Sequence, residues 1–177
     1  RANGINVFGP SKAAAQLESS KAFAKEFMSR HNIPTANFKQ FHKSNVDEAH
    51  TFIEVLEAPI VLKADGLAAG KGVIIAETRA EGHDAIDEMF DGLFSSAGET
   101  VVIEEFLYGQ EASIFAISDG ENFVVLPSAQ DHKRAYNDDK GPNTGGMGAY
   151  SPAPIVNEIV LDRVIEQIIK PTLAGMN

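Results

Sequence analysis

A glycine-rich segment set between two apolar runs constrains the fold more than any other feature of this chain. Residues 63–72 read KADGLAAGKG, with PIVL before them and VIIAE after them. β-Branched residues dominate both runs, which predicts strands over residues 59–64 and 73–76. The segment then joins two antiparallel strands as a flexible loop, and such a loop is well suited to close over a ligand.

The remaining hydrophobic pattern predicts helices and short strands in irregular succession. Helices are predicted from Ser19 or Ser20 to Asn32, over residues 44–56 and 78–93 after the capping patterns Ser44-x-x-Asp47 and Thr78-x-x-Glu81, and from Asn157 onward. Further strands are predicted over residues 36–41, 100–106, 112–117 and 123–126, with a turn at Asp119-Gly120 and a long polar loop over residues 127–154. The pattern indicates an α+β fold with antiparallel pairing.

The composition argues against several classes of partner. The chain has 177 residues, 44% of them hydrophobic, which is enough for one domain or two small lobes with a real core. Its net charge of −10 argues against nucleic-acid and anionic-membrane partners, and no apolar run approaches the ~20 residues of a membrane span. Cysteine is absent, so disulfides and thiolate metal ligands are excluded.

The glycine-rich segment differs from a Walker phosphate-binding loop. Only three residues separate Gly66 from Gly70, Gly72 stands in place of the hydroxyl residue, and a strand follows instead of a helix. The segment still suits an anion, because glycine lets backbone N–H groups crowd together and Lys71 adds charge. Lys63, at the end of an apolar strand, is a second candidate partner for phosphate. Two simpler interpretations stay open: a mobile hairpin with a solvated Lys71, and a Lys63 side chain that reaches solvent.

Two further segments concentrate polar groups. In VVIEEFLYGQE, residues 101–111, adjacent carboxylates at a strand end precede Glu111. Backbone groups at a strand end can read a purine edge, and a later carboxylate can accept from ribose hydroxyls, although paired glutamates are also common without such a role. In AQDHKRAYNDDKGPNTGGMGAYSPAP, residues 129–154, an acid, an imidazole, a lysine and an arginine are consecutive. Such a long loop is usually functional or disordered, and the interspersed Tyr136, Met147 and Tyr150 favour a site.

Four segments together resemble the phosphoribosylamine–glycine ligases (glycinamide ribonucleotide synthetases), a family of ATP-grasp enzymes. They read GPSKAAAQLESSKAFAKEFMSRHNIPTA at 9–36, VLKADGLAAGKGVIIA at 61–76, VVIEEFLYGQEAS at 101–113 and QDHKR…GPNTGGMGAYSPAP at 130–154. The first three are shared in looser form by many ATP-grasp enzymes, whereas the last is specific to this ligase. The resemblance covers nearly the whole chain and implies an α+β, ATP-grasp fold with a small antiparallel lid lobe.

The resemblance implies a set of ATP-binding residues. Two lysines would contact the phosphates, the glycine-rich loop would fold over the triphosphate, a hinge would receive adenine, and an acid would bind the ribose hydroxyls. In that order, the implied residues are Lys21 and Lys63; Gly66, Gly70, Lys71 and Gly72; Glu104, Glu105, Phe106 and Leu107; and Glu111.

The resemblance also implies a site for two small-molecule substrates, glycine and 5-phosphoribosylamine. The residues that would face them are Asp131, His132, Lys133, Arg134, Asn143, Thr144, Gly145, Gly146, Met147 and Gly148. The family uses ATP to join the two substrates in purine biosynthesis, through a glycyl phosphate that a closed lid would protect from water. A cytoplasmic enzyme is implied, without a covalent nucleophile, and no catalytic residue is assigned.

The full-length enzyme would also use Mg²⁺ (or Mn²⁺), whose ligands are expected outside this chain. Glu158, Asp162 and Glu166 recur at four-residue spacing on a predicted helix, which is typical of a solvated face and not of a metal site. The opening residues read as a chain already under way, so we expect a central, incomplete portion of the enzyme that is inactive alone.

Three segments are expected within that portion. Residues 1–58 would belong to the ATP-grasp core, residues 59–126 to the lid lobe, and residues 127–177 to the substrate loop and a core helix. Two alternatives stay open: another ATP-grasp carboxylate–amine ligase, and a non-catalytic nucleotide-binding module. The sequence leaves the oligomeric state open.

Overall fold

A computed structural model describes Gly4 and residues 7–66, 72–94, 98–138 and 140–176, except for the side chains of residues 142 and 143. These residues form two compact units. The first comprises the described residues of Arg1–Arg30 and Pro34–Leu107, and the second those of His31–Ile33 and Tyr108–Asn177. The expected boundaries after residues 58 and 126 fall inside the first and the second unit, and the three-segment division stays a prediction.

The first unit, as far as the structure describes it, is built on a four-stranded antiparallel sheet. Its strands are β1 Phe38–His42, β2 Ile60–Ala64, β3 Val73–Ala76 and β4 Thr100–Glu105, in the order β1-β4-β2-β3. Its helices are α1 Gln16–Ser19, α2 Lys21–Arg30, α3 Val46–Val55 and α4 Arg79–Glu88, the last continued by the wider turns of Met89–Leu93. The predicted hairpin is confirmed, because β2 pairs with β3 from Ile60↔Ala76 to Lys63↔Val73.

Alternation along the strands gives this sheet two different faces. Ile60, Leu62 and Ala64 of β2 are buried, whereas Val61 and Lys63 are half-buried. The buried residues belong to the main core, whose largest fully buried members are Ile53, Ile60, Leu62, Ile86, Met89, Val101 and Ile103. Burial of side chains of this size contributes about 1.5–3 kcal/mol each, so this core holds α3 and α4 on the sheet. The opposite face carries α2.

The two predicted capping patterns have different outcomes. Thr78 accepts a hydrogen bond from Glu81 N at 3.2 Å, and the Glu81 carboxylate accepts a backbone N–H at 2.9 Å, so the predicted cap of α4 is confirmed. The cap predicted at Ser44 is wrong, because α3 begins only at Val46 and Asn45, not Ser44, holds the position before its first residue. Residues Lys43–Asn45 form a 3₁₀ turn from which α3 continues at Val46.

The second unit contains two antiparallel hairpins and a helical segment. β5 Ala116–Ser118 pairs with β6 Phe123–Val125 across the predicted turn, where backbone N–H groups of Asn122 and Glu121 lower the pKa of Asp119. The strand predicted over residues 112–117 is shorter than expected, because Ser113 makes only an isolated bridge. The helical segment comprises α5 Glu158–Val164, the wider turns Ile165–Ile169 and α6 Lys170–Met176.

The prediction of a long loop over residues 127–154 is wrong. β7 Gln130–Tyr136 and β8 Lys140–Tyr150 form an antiparallel hairpin there. The segment is rich in glycine, asparagine and charged residues, which are depleted in strands. A prediction from strand propensity therefore did not identify this hairpin, which is held by backbone hydrogen bonds. A Cβ on Gly141, whose φ is 85°, would lie 2.4 Å from Tyr136 Cδ2, so glycine is required beside this ring.

Helices and antiparallel sheets together confirm the predicted α+β class. Asn157, predicted to start the last helix, accepts a hydrogen bond from Val160 N at 3.0 Å and caps α5. Within the part of the chain that the structure describes, no helix combines the length and the apolar character needed to cross a membrane.

Candidate functional site

Lys63 and Glu104 meet on the face of the first unit's sheet that carries α2. Lys63 of β2 pairs with Val102 of β4, which places its side chain diagonal to that of Glu104 on one face. Nζ of Lys63 lies 3.0 Å from both oxygens of the Glu104 carboxylate. Glu104 is buried at 3% exposure, whereas the Lys63 side chain is 28% exposed. A residue predicted near the phosphates and one predicted near adenine therefore form one ion pair.

A second lysine, Lys25 of α2, shares the same carboxylate and was missed by the sequence reasoning. Its Nζ lies 2.9 Å from Glu104 Oε2 and donates to Thr35 Oγ1 at 2.6 Å. The same ammonium group stands 5.4 Å from the centroid of the Phe38 ring. The only sequence signal for Lys25 is that it follows Lys21 by one helical turn. Its partners, Thr35 and Glu104, lie 10 and 79 positions further along the chain, so the sequence pattern around Lys25 does not reveal them.

The Glu104 carboxylate is only partly satisfied. Among the described residues, Oε1 has no aligned hydrogen-bond donor, although Nζ of Lys63 is 3.0 Å away. The ion pair supplies attraction at that oxygen, but the direction of the Lys63 ammonium satisfies a hydrogen bond to Oε2 alone. A buried carboxylate oxygen without an aligned donor is costly.

Asp65 ties the base of the glycine-rich segment to the start of α2. Its Oδ1 accepts from Ala22 N and its Oδ2 accepts from Ser20 Oγ, both at 3.1 Å. Ser20 in turn accepts from Phe23 N at 3.0 Å, so the predicted helix start at Ser20 is confirmed. A carboxylate 43 residues away in sequence thus completes the cap of α2.

Lys21 lies directly after this cap and points to the same segment. Its Nζ donates to the carbonyl oxygen of Gly66 at 3.2 Å. Gly72, at the other end of the segment, accepts from Ala64 N at 2.8 Å, which continues the hairpin by one bond. Gly70 and Lys71 lie outside the described residues. Lys21, Lys63, Gly66 and Gly72 are therefore gathered around one end of β2.

Glu105 is separated from this cluster, although it adjoins Glu104 in sequence. Its Oε1 accepts from Asn37 N at 2.8 Å and its own N–H donates to Asn37 O at 3.1 Å. The side chain therefore extends the β1–β4 edge. Phe106 is half-buried and Leu107 is 64% exposed after the strand has ended.

In the second unit, β7 brings three of the predicted groups together. Nζ of Lys133 lies 3.4 Å from Asp131 Oδ2 and 3.7 Å from Glu111 Oε2. The three side chains are 48%, 35% and 83% exposed, so water screens these pairs and each contributes little stability. The His132 ring stands 5.4 Å from that of Tyr150, on the opposite strand.

The glycine-rich part of β8 bulges opposite Lys133. His132 pairs with Gly148 and Arg134 pairs with Asn143, so one residue of β7 faces the four residues Thr144, Gly145, Gly146 and Met147. Gly146 N donates to Thr144 Oγ1 at 3.0 Å inside this bulge, and Met147 is 62% exposed. Arg134 instead binds the turn, where Nη1 donates to Gly141 O at 2.7 Å. The predicted substrate residues thus lie along one hairpin.

The predicted face of α5 has no sign of a metal site. Glu158, Asp162 and Glu166 are exposed, and Glu166 pairs with Lys170 one turn on. Across the described ranges, no group of three or more acidic or histidine side chains is placed to hold a metal ion.

Comparison with known proteins places this geometry in a family. The profile described as "Phosphoribosylglycinamide synthetase, ATP-grasp (A) domain" matches residues 19–177. The phosphoribosylamine–glycine ligase of Ralstonia nicotianae is 56% identical over 177 residues, and that of Vibrio cholerae is 55% identical over the same length. These alignments cover 99% of this chain but 42% and 41% of the two relatives, so the chain spans about two fifths of their length.

Solved structures agree with this assignment. The crystal structure of phosphoribosylamine–glycine ligase from Thermotoga maritima matches 96% of this chain and 43% of its own, with a TM-score of 0.86 and 41% identity. Carboxyaminoimidazole ribonucleotide synthase from Aspergillus clavatus, solved with ATP, has a TM-score of 0.71 at 16% identity, covers 98% of this chain and 42% of its own, and shows the shared fold alone. The predicted ATP-grasp fold is confirmed. Because the family profile spans residues 19–177, this chain belongs to the ATP-grasp (A) domain family of phosphoribosylglycinamide synthetases.

Proposed function

We propose that the protein carrying this chain joins glycine to 5-phosphoribosylamine, with one ATP converted to ADP and phosphate. Membership of the family supports this reaction, as does the name shared by the relatives. The observation within the chain that carries the proposal is the gathering of Lys21, Lys63 and the glycine-rich segment at one end of β2.

The cluster at the end of β2 suits the phosphates of ATP. Lys63 is paired with Glu104 but partly exposed, and Lys21 donates to a neutral carbonyl oxygen at 3.2 Å. If Lys63 turns to a triphosphate, Glu104 stays paired with Lys25, whose Nζ lies 2.9 Å from Oε2. Charge that develops on the transferred phosphoryl oxygens is stabilised by fixed positive groups of this kind.

The chemistry proposed has two steps. In the first, a glycine carboxylate oxygen attacks the γ-phosphorus of ATP, the bond from that phosphorus to the β–γ bridging oxygen breaks, and ADP leaves. In the second, the amine nitrogen of phosphoribosylamine attacks the acyl carbon of glycyl phosphate. The bond from that carbon to the phosphate oxygen breaks, phosphate leaves with the electron pair, and the nitrogen loses a proton. Bound Mg²⁺ would neutralise phosphate charge, and no described residue is assigned to it.

The groups of the second unit are proposed for the ribose and the two substrates. Glu111 is 83% exposed and offers a carboxylate to ribose hydroxyls. Lys133, 48% exposed beside Asp131, offers charge to the phosphate of phosphoribosylamine. The bulge of β8 adds backbone N–H groups and Thr144 opposite Lys133.

The test is ADP release by the protein that carries this chain. Release is expected to require both glycine and phosphoribosylamine. Lys63→Met is expected to lower kcat/KM for ATP on the order of a hundredfold, because a charged partner of the phosphates is lost. Lys39→Met is the matched control, since it removes the same charge from an exposed position of β1. ADP release that requires another acid or amine instead would refute the substrate assignment.

A further inference from the structure

Lys25 stands out in the first unit because lysine side chains are seldom buried unless paired. Its side chain is 9% exposed, Nζ lies 2.9 Å from Glu104 Oε2, and the same group donates to Thr35 Oγ1 at 2.6 Å. It also lies 3.5 Å from the carbonyl oxygen of Ala36. Lys25 thus reaches Glu104 from α2, whereas Lys63 reaches it from β2.

The triad of Lys25, Glu104 and Lys63 has a surplus positive charge. Two ammonium groups share one carboxylate, so two positive charges and one negative charge leave one positive charge. Lys63 is the more exposed of the two lysines, at 28% against 9%. Because charges interact more strongly where water is excluded, the surplus is presented to an anion at Lys63.

We propose that Lys25 is a positioning residue for the phosphates of the nucleotide and acts through Glu104 without touching the ligand. The inference rests on the proposed function, which places those phosphates at Lys63. With Lys63 as its only partner, Glu104 would neutralise that ammonium group and draw it onto the carboxylate. Lys25 holds Oε2 from α2 at 2.9 Å, which compensates the charge of the carboxylate and leaves the charge of Lys63 available.

Calorimetric titration of the protein that carries this chain, with ATP and with adenosine, tests the inference. Lys25→Met keeps the length of the side chain and removes its charge. This variant is expected to weaken the binding of ATP on the order of tenfold and the binding of adenosine by less than about twofold, because adenosine has no phosphate. Lys39→Met is the control, because it removes the same charge from an exposed position of β1, and it is expected to change the affinity for either ligand by less than about twofold.

A double variant separates charge from packing. Adding Glu104→Gln to Lys25→Met removes the remaining negative charge, so the charge of Lys63 is again uncompensated. The ratio of ATP affinity to adenosine affinity is expected to return to within about threefold of that of the unaltered protein, because a loss of contacts to adenine would affect both ligands alike. A purely structural Lys25 predicts the opposite, because a second substitution in the triad would disturb the packing further.

Each outcome decides the question. Equal losses for ATP and adenosine in Lys25→Met, unchanged ATP affinity in Lys25→Met, or a further fall of the ratio of ATP to adenosine affinity in the double variant would overturn this inference alone. Failure of the unaltered protein to bind ATP would overturn the proposed function, and this inference with it. Thermal unfolding followed by circular dichroism checks each fold. If Lys25→Met does not fold, the double variant is compared with Glu104→Gln. Because Lys25 acts through the Glu104 carboxylate, equal affinity for ATP is expected in these two variants, and a selective loss for ATP in the double variant would refute the proposal.

Discussion

Replacement of Asp65 by alanine tests whether the glycine-rich segment and α2 are held together by one carboxylate. Asp65 accepts from Ala22 N and from Ser20 Oγ, both at 3.1 Å, at the start of α2. Loss of a helix cap costs about 1 kcal/mol, and loss of a second hydrogen bond to a charged acceptor costs about 1.5 kcal/mol. We therefore expect Asp65→Ala to lower the free energy of unfolding by about 2–3 kcal/mol.

The assay is urea unfolding followed by circular dichroism, because the chain has no tryptophan. Asp65→Asn keeps one acceptor oxygen in place and loses the charge, so a decrease of about 1 kcal/mol is expected. Asp47→Ala is the control, since it removes an exposed carboxylate from the first turn of α3. It is expected to change the free energy of unfolding by less than about 0.5 kcal/mol.

A double-mutant cycle between Ser20→Ala and Asp65→Ala isolates the contact itself. The two side chains share one hydrogen bond, so a coupling energy above about 0.5 kcal/mol is expected. An Asp65→Ala protein within about 0.5 kcal/mol of the unaltered one, or a cycle without coupling, would refute the reasoning.

Three further predictions address the second unit and the outer helices of the first. In calorimetric titration, Glu111→Gln is expected to weaken the binding of ATP about tenfold and the binding of 2′-deoxy-ATP less, because only ATP offers both ribose hydroxyls. Equal losses of affinity for the two nucleotides would show that Glu111 does not bind the ribose. Lys133→Ala is expected to raise KM for phosphoribosylamine about tenfold and to leave ATP affinity nearly unchanged, and an effect on ATP alone would contradict this. The hydrogen bond from His83 lowers the pKa of Glu54 below its ordinary 4.5, so its stabilising effect is complete above pH 4.5 and is lost as the pH falls through the lowered value. Glu54→Gln is therefore expected to flatten the fall of the urea midpoint below pH 4.5, and an unchanged profile would show that Glu54 is not responsible.

Each of these variants has a matched control in the same unit. Glu121→Gln alters an exposed carboxylate in the turn after β5, and Lys140→Ala removes an exposed lysine at the start of β8. Glu57→Gln alters an exposed carboxylate just after α3. We expect all three to behave like the unaltered protein in the corresponding assay, because none adjoins the contact under test.

The local sequence pattern was sufficient to predict those elements whose conformation depends on neighbouring residues in the chain. β-Branched runs on either side of the glycine-rich segment predicted β2 and β3, and the structure confirms their pairing. The helix caps at Thr78 and Asn157 were likewise predicted correctly, because the start of a helix depends on residues within one turn. At Ser44 the same pattern failed, since residues Lys43–Asn45 form a 3₁₀ turn and α3 begins only at Val46.

The β7–β8 hairpin shows where local pattern was insufficient. Glycine, asparagine and charged residues are unfavourable in strands, yet the register from Gln130↔Tyr150 to Tyr136↔Lys140 forms with a bulge opposite Lys133. Backbone hydrogen bonds between partners up to 20 residues apart stabilise it, and no window of the sequence contains that information. The motif identified the residues as a site but not the strands that present them.

By itself, then, the sequence determined the hairpin around the glycine-rich segment, the family and the residue types proposed to bind phosphate, because motifs and short-range periodicity are written in consecutive residues. Only the tertiary structure decided which charges meet. Lys25 and Lys63 share Glu104 while Glu105, its neighbour, binds the backbone of Asn37. Alternate strand residues point to opposite faces, and the packing of α2 selects which face becomes a buried, charged site.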